Sequence, residues 1–312
     1  MKTLIRTLSL IALTAFASGV VVARSGTRDE IEESFSVKPG GTLNFDADLA
    51  NAEITTSNTD TVRVEFTREF KVDTAQDLDE LRKKLSVEMT QSDNTVKVTV
   101  RCAADRERRD RNKVRLDFRI VMPRKFNLDL RTVGSAEVGD LDGTAKVSIR
   151  GGSLKLGNVT GPVTATSKGG SLSLGDVGAD LEARASGGSV KAGRVNGKAL
   201  AVAEGGSVSM EAAGEMVEAT AHGGSVKASI SKPPRSDCKI TAKAGSIDLQ
   251  LPASAAVTVD ATCTAGEITS EFAVAGDAGG ERTRLKGNIN GGGPALLLRA
   301  TAGSIQLRKG GQ

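Results

Sequence analysis

The chain has 312 residues with a formal net charge of +4, 36 glycines, 8 phenylalanines, one histidine and neither Trp nor Tyr. So small a charge excess gives no electrostatic case for binding nucleic acid, and so few aromatics exclude the thick, ring-filled centre of an ordinary globular enzyme of this length. Val, Leu, Ile and Ala fill only a thin core, which suits a solenoid one coil wide.

The first stretch, MKTLIRTLSLIALTAFASGVVVARS, sets Lys2 and Arg6 ahead of an uncharged run from Thr7 to Ala23 that ends in small residues. That pattern predicts a secretory signal peptide over residues 1–23, and hence export to the periplasm or the cell surface of a bacterium. Two cleavage sites fit, one after Ala23 (Val-Val-Ala), which is preferred, and one after Ala17 (Ala-Phe-Ala). No cysteine follows either site, which argues against a lipoprotein anchor. A retained N-terminal anchor is the alternative, because the run approaches the shortest helix that spans a bilayer. Nothing downstream is long and apolar enough to cross one. Loss of Lys2 and Arg6 with the signal lowers the net charge from +4 to +2.

Residues 31–130 are expected to form irregular β coils with one helix. SFSVKPGGTLNF, AEITTSNTDTVRVEFTREF, KLSVEMTQSDNTVKVTVRC and KVRLDFRIVMPRKFNLDLRTVGSAEV alternate apolar and polar residues with period two, between connections of uneven length. They read as degenerate coils leading into the repeat. Between them, TAQDLDELRKKL predicts a helix over 74–85: Thr74 and Asp77 form a capping box, and Leu78, Leu81 and Leu85 share a face. Open strand edges at a solenoid end invite aggregation, so this helix and the irregular coils are expected to shield one end. The run DRERRDRNKVR at 105–115 interleaves acids with arginines and has no aromatic to stack a base, so it reads as a solvated loop.

Residues 131–312 carry the regular repeat and a C-terminal capping coil, and 31–312 reads as one continuous solenoid. Serines follow glycine at 135, 153, 171, 189, 207 and 225, a constant spacing of 18 residues, which then lengthens to 21 at Ser246 and again at Glu267. A last Ala-Gly-Ser stands at 302–304. Within GGSLKLGNVTGPVTATSK (151–168) apolar residues alternate in each half, so each coil holds two short strands, and stacked coils build sheets along the axis. Leu154, Leu172, Val190, Val208, Val226 and Ile247 form one inward column; Val147, Ala165, Ala183, Ala201 and Ala219 form another. The outward column reads Lys155, Ser173, Lys191, Ser209, Lys227 and Asp248, with serines keeping like charges from facing each other on adjacent strands. Gly-Gly-Ser leads from strand to strand and not into a helix, so it is a corner and not a phosphate cradle, with the glycines expected to adopt angles other residues resist.

Toward the C-terminus, a Gly-rich excursion over 275–293 reads as a loop inserted in the final coil. Cys102 continues an inward alternation. Cys238 and Cys263 lie in successive repeats but four positions apart in register, roughly 13 Å along the strand, beyond disulfide reach. Three buried thiols are expected.

FSVKPGGTLNF with ITTSNTDTVRVEF, then VMPRKFNLDLRT, the serial Gly-Gly-Ser, LPASAAVTVDATCTAGEI and GPALLLRATAGSIQL together resemble the DUF4097 type of bacterial secreted β-strand-repeat proteins labelled adhesins. The resemblance covers most of 35–308. It implies a single-chain β-helix in the bacterial envelope and brings no catalytic residues. One departure is Asn51-Ala52, where a glycine is expected before the strand.

No residue is assigned a catalytic, cofactor-binding or metal-binding role. His222 invites comparison with β-helix acyltransferases that use a histidine base, but its column (Arg150, Lys168, Ser186, Glu204, His222, Lys243) accepts any polar side chain and so is a solvent-facing edge. Asp140, Asn158, Asp176 and Arg194 recur at the mid-coil turn beside Gly139, Gly157, Gly175 and Gly193. Such carboxylates suit calcium, yet the same residues suit tight turns, and Arg194 places a cation in the stack. The acids are otherwise scattered, without the facing pair that glycoside cleavage needs. The sequence therefore predicts an all-β solenoid acting as a non-catalytic exported envelope protein, structural or adhesin-like. Its expected partner is an envelope or cell-surface component, protein or polysaccharide, bound through solenoid faces or terminal loops, with no cofactor and no nucleic acid. A β-helix enzyme acting on polysaccharide or as an acyltransferase, and a periplasmic ligand-binding or signalling accessory, are the alternatives. The handedness of the coil stays open.

Overall fold

The computed structural model describes residues 18–25, 27–103, 113–276 and 282–310. Most of the predicted signal peptide (1–17), most of the arginine-rich run and residues 277–281 of the Gly-rich excursion lie outside them.

In chain order the elements begin with β1 (Ser18–Ser25), β2 (Arg28–Ser36), β3 (Gly41–Ala47), β4 (Asn51–Ser57) and β5 (Thr61–Phe70), followed by α1 (Ala75–Lys84). Next come β6 (Leu85–Ser92), β7 (Thr95–Cys102), β8 (Val114–Pro123) and β9 (Phe126–Thr132). The repeats supply β10 (Ala136–Val138), β11 (Ala145–Ile149), β12 (Leu154–Leu156), β13 (Val163–Ser167), β14 (Leu172–Leu174), β15 (Leu181–Ala185), β16 (Val190–Ala203) and β17 (Val208–Ala221). The last stretch holds β18 (Val226–Ile230), β19 (Cys238–Ala242), β20 (Ile247–Pro252), β21 (Val257–Ala265), β22 (Ile268–Ser270), β23 (Arg284–Ile289), β24 (Ala295–Ala302) and β25 (Ile305–Gly310).

Two long sheets run the length of the molecule and meet through β16 and β17, which are long enough to belong to both. Sheet A runs β1, β2, β5, β8, β4, β10, β12, β14, β16, β17, β18, β20, β25, β22. Sheet B runs β6, β7, β3, β9, β11, β13, β15, β16, β17, β19, β24, β21, β23. On the narrow third side Leu141, Val159, Val177 and Val195 join coil to coil through single parallel bridges. The all-β solenoid with one short helix is therefore what forms, with sides of unequal length.

The order of coils in space departs from their order in sequence at both ends. The β3–β4 coil sits between β7–β8 and β9–β10, although its residues precede both. At the far end the last coil, β24–β25, slots between β19–β20 and β21–β22. The simple succession expected from the repeat is thus corrected. Each terminal coil is hydrogen-bonded on both sides instead of one, so neither end peels away by losing one row of backbone bonds.

The ends themselves are closed by antiparallel strands. β2 and β5 pair antiparallel beyond β8 in sheet A, β6 closes sheet B, and β23 lies antiparallel on β21 at the other end. The excursion over 275–293 is accordingly not a plain loop, since it contributes β23. α1 starts as predicted: the Asp77 N–H donates to Thr74 Oγ1 at 3.1 Å, and the Thr74 hydroxyl donates to the Asp77 carboxylate at 2.8 Å. Leu81 and Leu85 are buried, with Leu78 partly so.

The glycine corners also differ from expectation. None of the glycines of the Gly-Gly-Ser steps has a positive φ. They are glycine because a Cβ has no room: at Gly170 it would stand 2.4 Å from the Gly152 carbonyl oxygen and 2.5 Å from Ser153 Oγ. Close stacking of coil on coil, not an unusual backbone angle, requires the residue.

Candidate functional site

Sheet A's repeat strands expose one side chain each between two buried ones, so their outer surface is a set of straight columns. Register places Glu137, Lys155, Ser173, Lys191, Ser209, Lys227 and Asp248 side by side on successive strands. At the two ends the charges pair internally. Lys155 Nζ reaches Glu137 at 2.5 Å, and Asp248 is held by Arg308.

Beside this column runs a hydrogen-bonded ladder formed by the serines of the Gly-Gly-Ser corners. The backbone N–H of Ser153, Ser171, Ser189, Ser207 and Ser225 each donates to the hydroxyl oxygen of the serine one coil earlier, at 3.0–3.3 Å. Ser246 and Ser304 continue it, and the Glu267 N–H ends it on Ser304 Oγ. At the other end Asn51 Oδ1 accepts from the Ser135 N–H, while its amide donates to Asp117. The apparent departure at Asn51 is thus the first rung. Between ladder and charged column lies a shallow depression of about 430 Å³ that includes Ser135, Ser153, Ser171, Lys155 and Ser173.

The mid-coil acids do a structural job. Asp140 accepts from the Asn158 N–H, Asn158 from the Asp176 N–H and Asp176 from the Arg194 N–H, at 2.7–2.8 Å. Asp176 is held below the usual carboxylate range first by that backbone N–H and then by the Arg194 guanidinium. Each acid or amide therefore presents an oxygen to the next coil. Among the described residues no group of three or more His, Cys, Asp and Glu is placed to hold a metal ion.

His222 sits half-buried at a corner, its N–H bonded to the Ala203 carbonyl, in line with Glu204 and Lys243. The three cysteines are buried and none is in a disulfide. Cys238 lies level with Leu296 and thus with Val259, four residues short of Cys263, and β24 separates the two strands. The successive-coil placement assumed from sequence is corrected, and the distance argument against a disulfide is strengthened. Burial pushes the Cys238 thiol up to about 12, which keeps it protonated and unreactive. A second depression, about 540 Å³, is built by the inserted residues Lys232, Pro233, Pro234 and Arg235 against Lys198 and Glu215.

At the N-terminal end Asp29 is fully buried and accepts from Arg68 at 2.6 Å and Arg82 at 3.0 Å. Both guanidiniums lie over the Phe70 ring, 5.8 and 5.7 Å from its centroid. This triad ties β2, β5 and α1 together. No periodic signal pointed to it.

A stacked parallel solenoid with interlocked ends, an apolar interior and all its variety on the outer columns is the class this geometry defines. The chain belongs to the Toastrack DUF4097 family, whose profile matches residues 42–308. No curated protein matches. Similar solved structures include a "putative cell adhesion protein" from Clostridium sporogenes (13% identity, 89% of this chain and 99% of that one, TM-score 0.24). A "putative adhesin" from Bacteroides fragilis (13%, 90% and 96%, 0.34) and another from Parabacteroides distasonis (11%, 90% and 97%, 0.38) are also similar. Among the described residues no helix is long and apolar enough to cross a membrane.

Proposed function

We propose that this chain is an exported, non-catalytic envelope protein, structural or adhesin-like, that binds an envelope or cell-surface component through its broad outer faces or terminal loops. The carrying observation is the state of the buried polar side chains. Asp29 is paired with two arginines, Thr132 donates to the Ala50 carbonyl, Ser167 bridges Gly152 and Gly170, and Thr220 donates to Glu218. Each is committed to holding the fold, so chemistry has to come from the exposed columns, where acids and His222 stand apart or are engaged with the next coil. Of the two signal-cleavage sites, the one after Ala17 leaves β1 whole as a partner for β2, whereas the one after Ala23 leaves only Arg24 and Ser25 of it.

Protease shaving of intact cells beside a periplasmic extract tests the location. Recovery in either fraction with a mature N-terminus at Ser18 is expected, and recovery in the cytoplasm with residues 1–17 attached would overturn the reading. Turnover of an acyl donor or polysaccharide by the purified protein, lost on His222→Ala, would overturn its non-catalytic part.

A further inference from the structure

We propose that the outer face of sheet A between Glu137 and Asp248 is a binding track for a linear acidic polysaccharide carrying one carboxylate per two sugar rings, laid along the solenoid axis. This rests on the reading of the protein as a binder through its faces, and names the face and the ligand chemistry.

The spacing of charge is the first ground. Lys155, Lys191 and Lys227 are exposed and occupy every second strand, with Ser173 and Ser209 between them. Strands stand about 4.8 Å apart, so the lysine positions recur at about 9.6 Å. Two pyranose rings in an extended, equatorially linked chain advance by about the same length. Serine between lysines lowers repulsion in the free protein; it also leaves one cation for each disaccharide. Lys191 and Lys227 have no ion-pair partner among the described residues, while Lys155 is paired with Glu137 and Asp248 with Arg308, so the open cations are the central two. The site so delimited takes about two carboxylates, one on Lys191 and one on Lys227.

The serine ladder is the second ground, and it is independent of charge. Each ladder hydroxyl spends its oxygen on the next coil's N–H, and among the described residues none donates its own hydrogen to a protein acceptor. A row of uncommitted O–H donors therefore recurs at every strand, one per sugar ring, and where it passes Ser135, Ser153 and Ser171 a shallow depression separates it from Lys155 and Ser173. The face has no aromatic on which a neutral ring or a base stacks, so recognition has to come from charge and hydrogen bonds. That favours an acidic sugar chain over a neutral one and over single-stranded nucleic acid.

The test uses the purified mature protein and hyaluronan octasaccharide, which carries a carboxylate on alternate rings, by calorimetry at low ionic strength where exposed charges are least screened. Binding is expected for hyaluronan and not for a neutral chitin oligosaccharide. Replacing Lys191 and Lys227 together by Ser is expected to weaken it by about fivefold, the product of two exposed ion pairs. The decisive variant is Ser173→Lys with Lys191→Ser, which keeps the charge but breaks the two-strand spacing, and whose fold is checked by its unchanged circular dichroism. It is expected to lose most of the binding. Wild-type affinity in that variant, no binding of hyaluronan by wild type, or equal affinity for polyphosphate or single-stranded DNA would overturn the proposal. Such a failure leaves the cellular location measured by shaving untouched, and a failure of the shaving test leaves this affinity untouched.

Discussion

The N-terminal coils and the repeats solve the same stacking problem with different materials. From β2 to β9 the strands run to ten residues, and Phe35, Phe45, Phe66, Phe70, Phe118 and Phe126 fill the interior. Phe118 is edge-on to Phe45 and stacked on Phe66, both at 5.0 Å. From β10 to β15 strands of three and five residues, and then the long β16 and β17, enclose Ala165, Ala183, Ala201 and Ala219, all at 0% exposure. One half is held by large apolar side chains and a buried ion triad; the other by backbone bonds, serine rungs and closely stacked glycines. Thick packing tolerates irregular coils because flexible side chains fill uneven gaps, whereas thin packing demands repetition, since nothing is large enough to absorb a misfit.

The contrast can be broken first at its wide end. Phe118→Ala is expected to cost about 3–5 kcal/mol, the price of an aromatic-sized cavity, in denaturant unfolding, with hydrogen-exchange protection lost around β4, β5 and β8 before the repeats. Asp29→Ala removes the buried carboxylate that Arg68 and Arg82 share and is expected to cost about 3–5 kcal/mol, whereas replacing the triad together with apolar residues of similar volume is expected to cost far less. Were the single and triple changes equal, the triad would be acting only as packing.

Smaller effects sharpen the narrow end. Gly170→Ala forces a Cβ against the preceding coil, and a loss of about 1–3 kcal/mol is expected, read as a lowered denaturation midpoint with early exchange confined to neighbouring coils. A neutral outcome would mean that the corner needs no close approach. The smallest effect is at Asp176. Its carboxyl is depressed in the folded protein, so its contribution is present above the unfolded value of about 3.9 and fades as pH falls through the lower folded value. Because the pair is exposed, Asp176→Asn is expected to change stability at pH 7 by no more than about 0.5 kcal/mol and to flatten the acid limb slightly in a pH titration of the unfolding midpoint.

Much of this was legible from residue order. The constant interval between serines revealed the coils, alternation revealed which side chains face inward, and Thr74, Asp77 and the three leucines placed α1 within a residue. The columns ending in Lys243 and Asp248 stand as the register sets them. The Asp29 triad was hidden because three residues from distant strands and a helix leave no period behind. Asn51 looked like an exception, although its amide oxygen is what lets it replace a serine hydroxyl on the first rung.

What the sequence by itself determined is the repeating unit: which residues turn, which extend and which are buried, all consequences of local sterics and of apolar alternation. Only the tertiary structure decided the order in which units stack. The β3–β4 and β24–β25 coils insert one place inward because an edge strand gains a second row of hydrogen bonds there. Every coil presents much the same edge to its neighbours, so no local pattern distinguishes the inserted order from the sequential one. The choice falls to the long connections and antiparallel strands that close the ends.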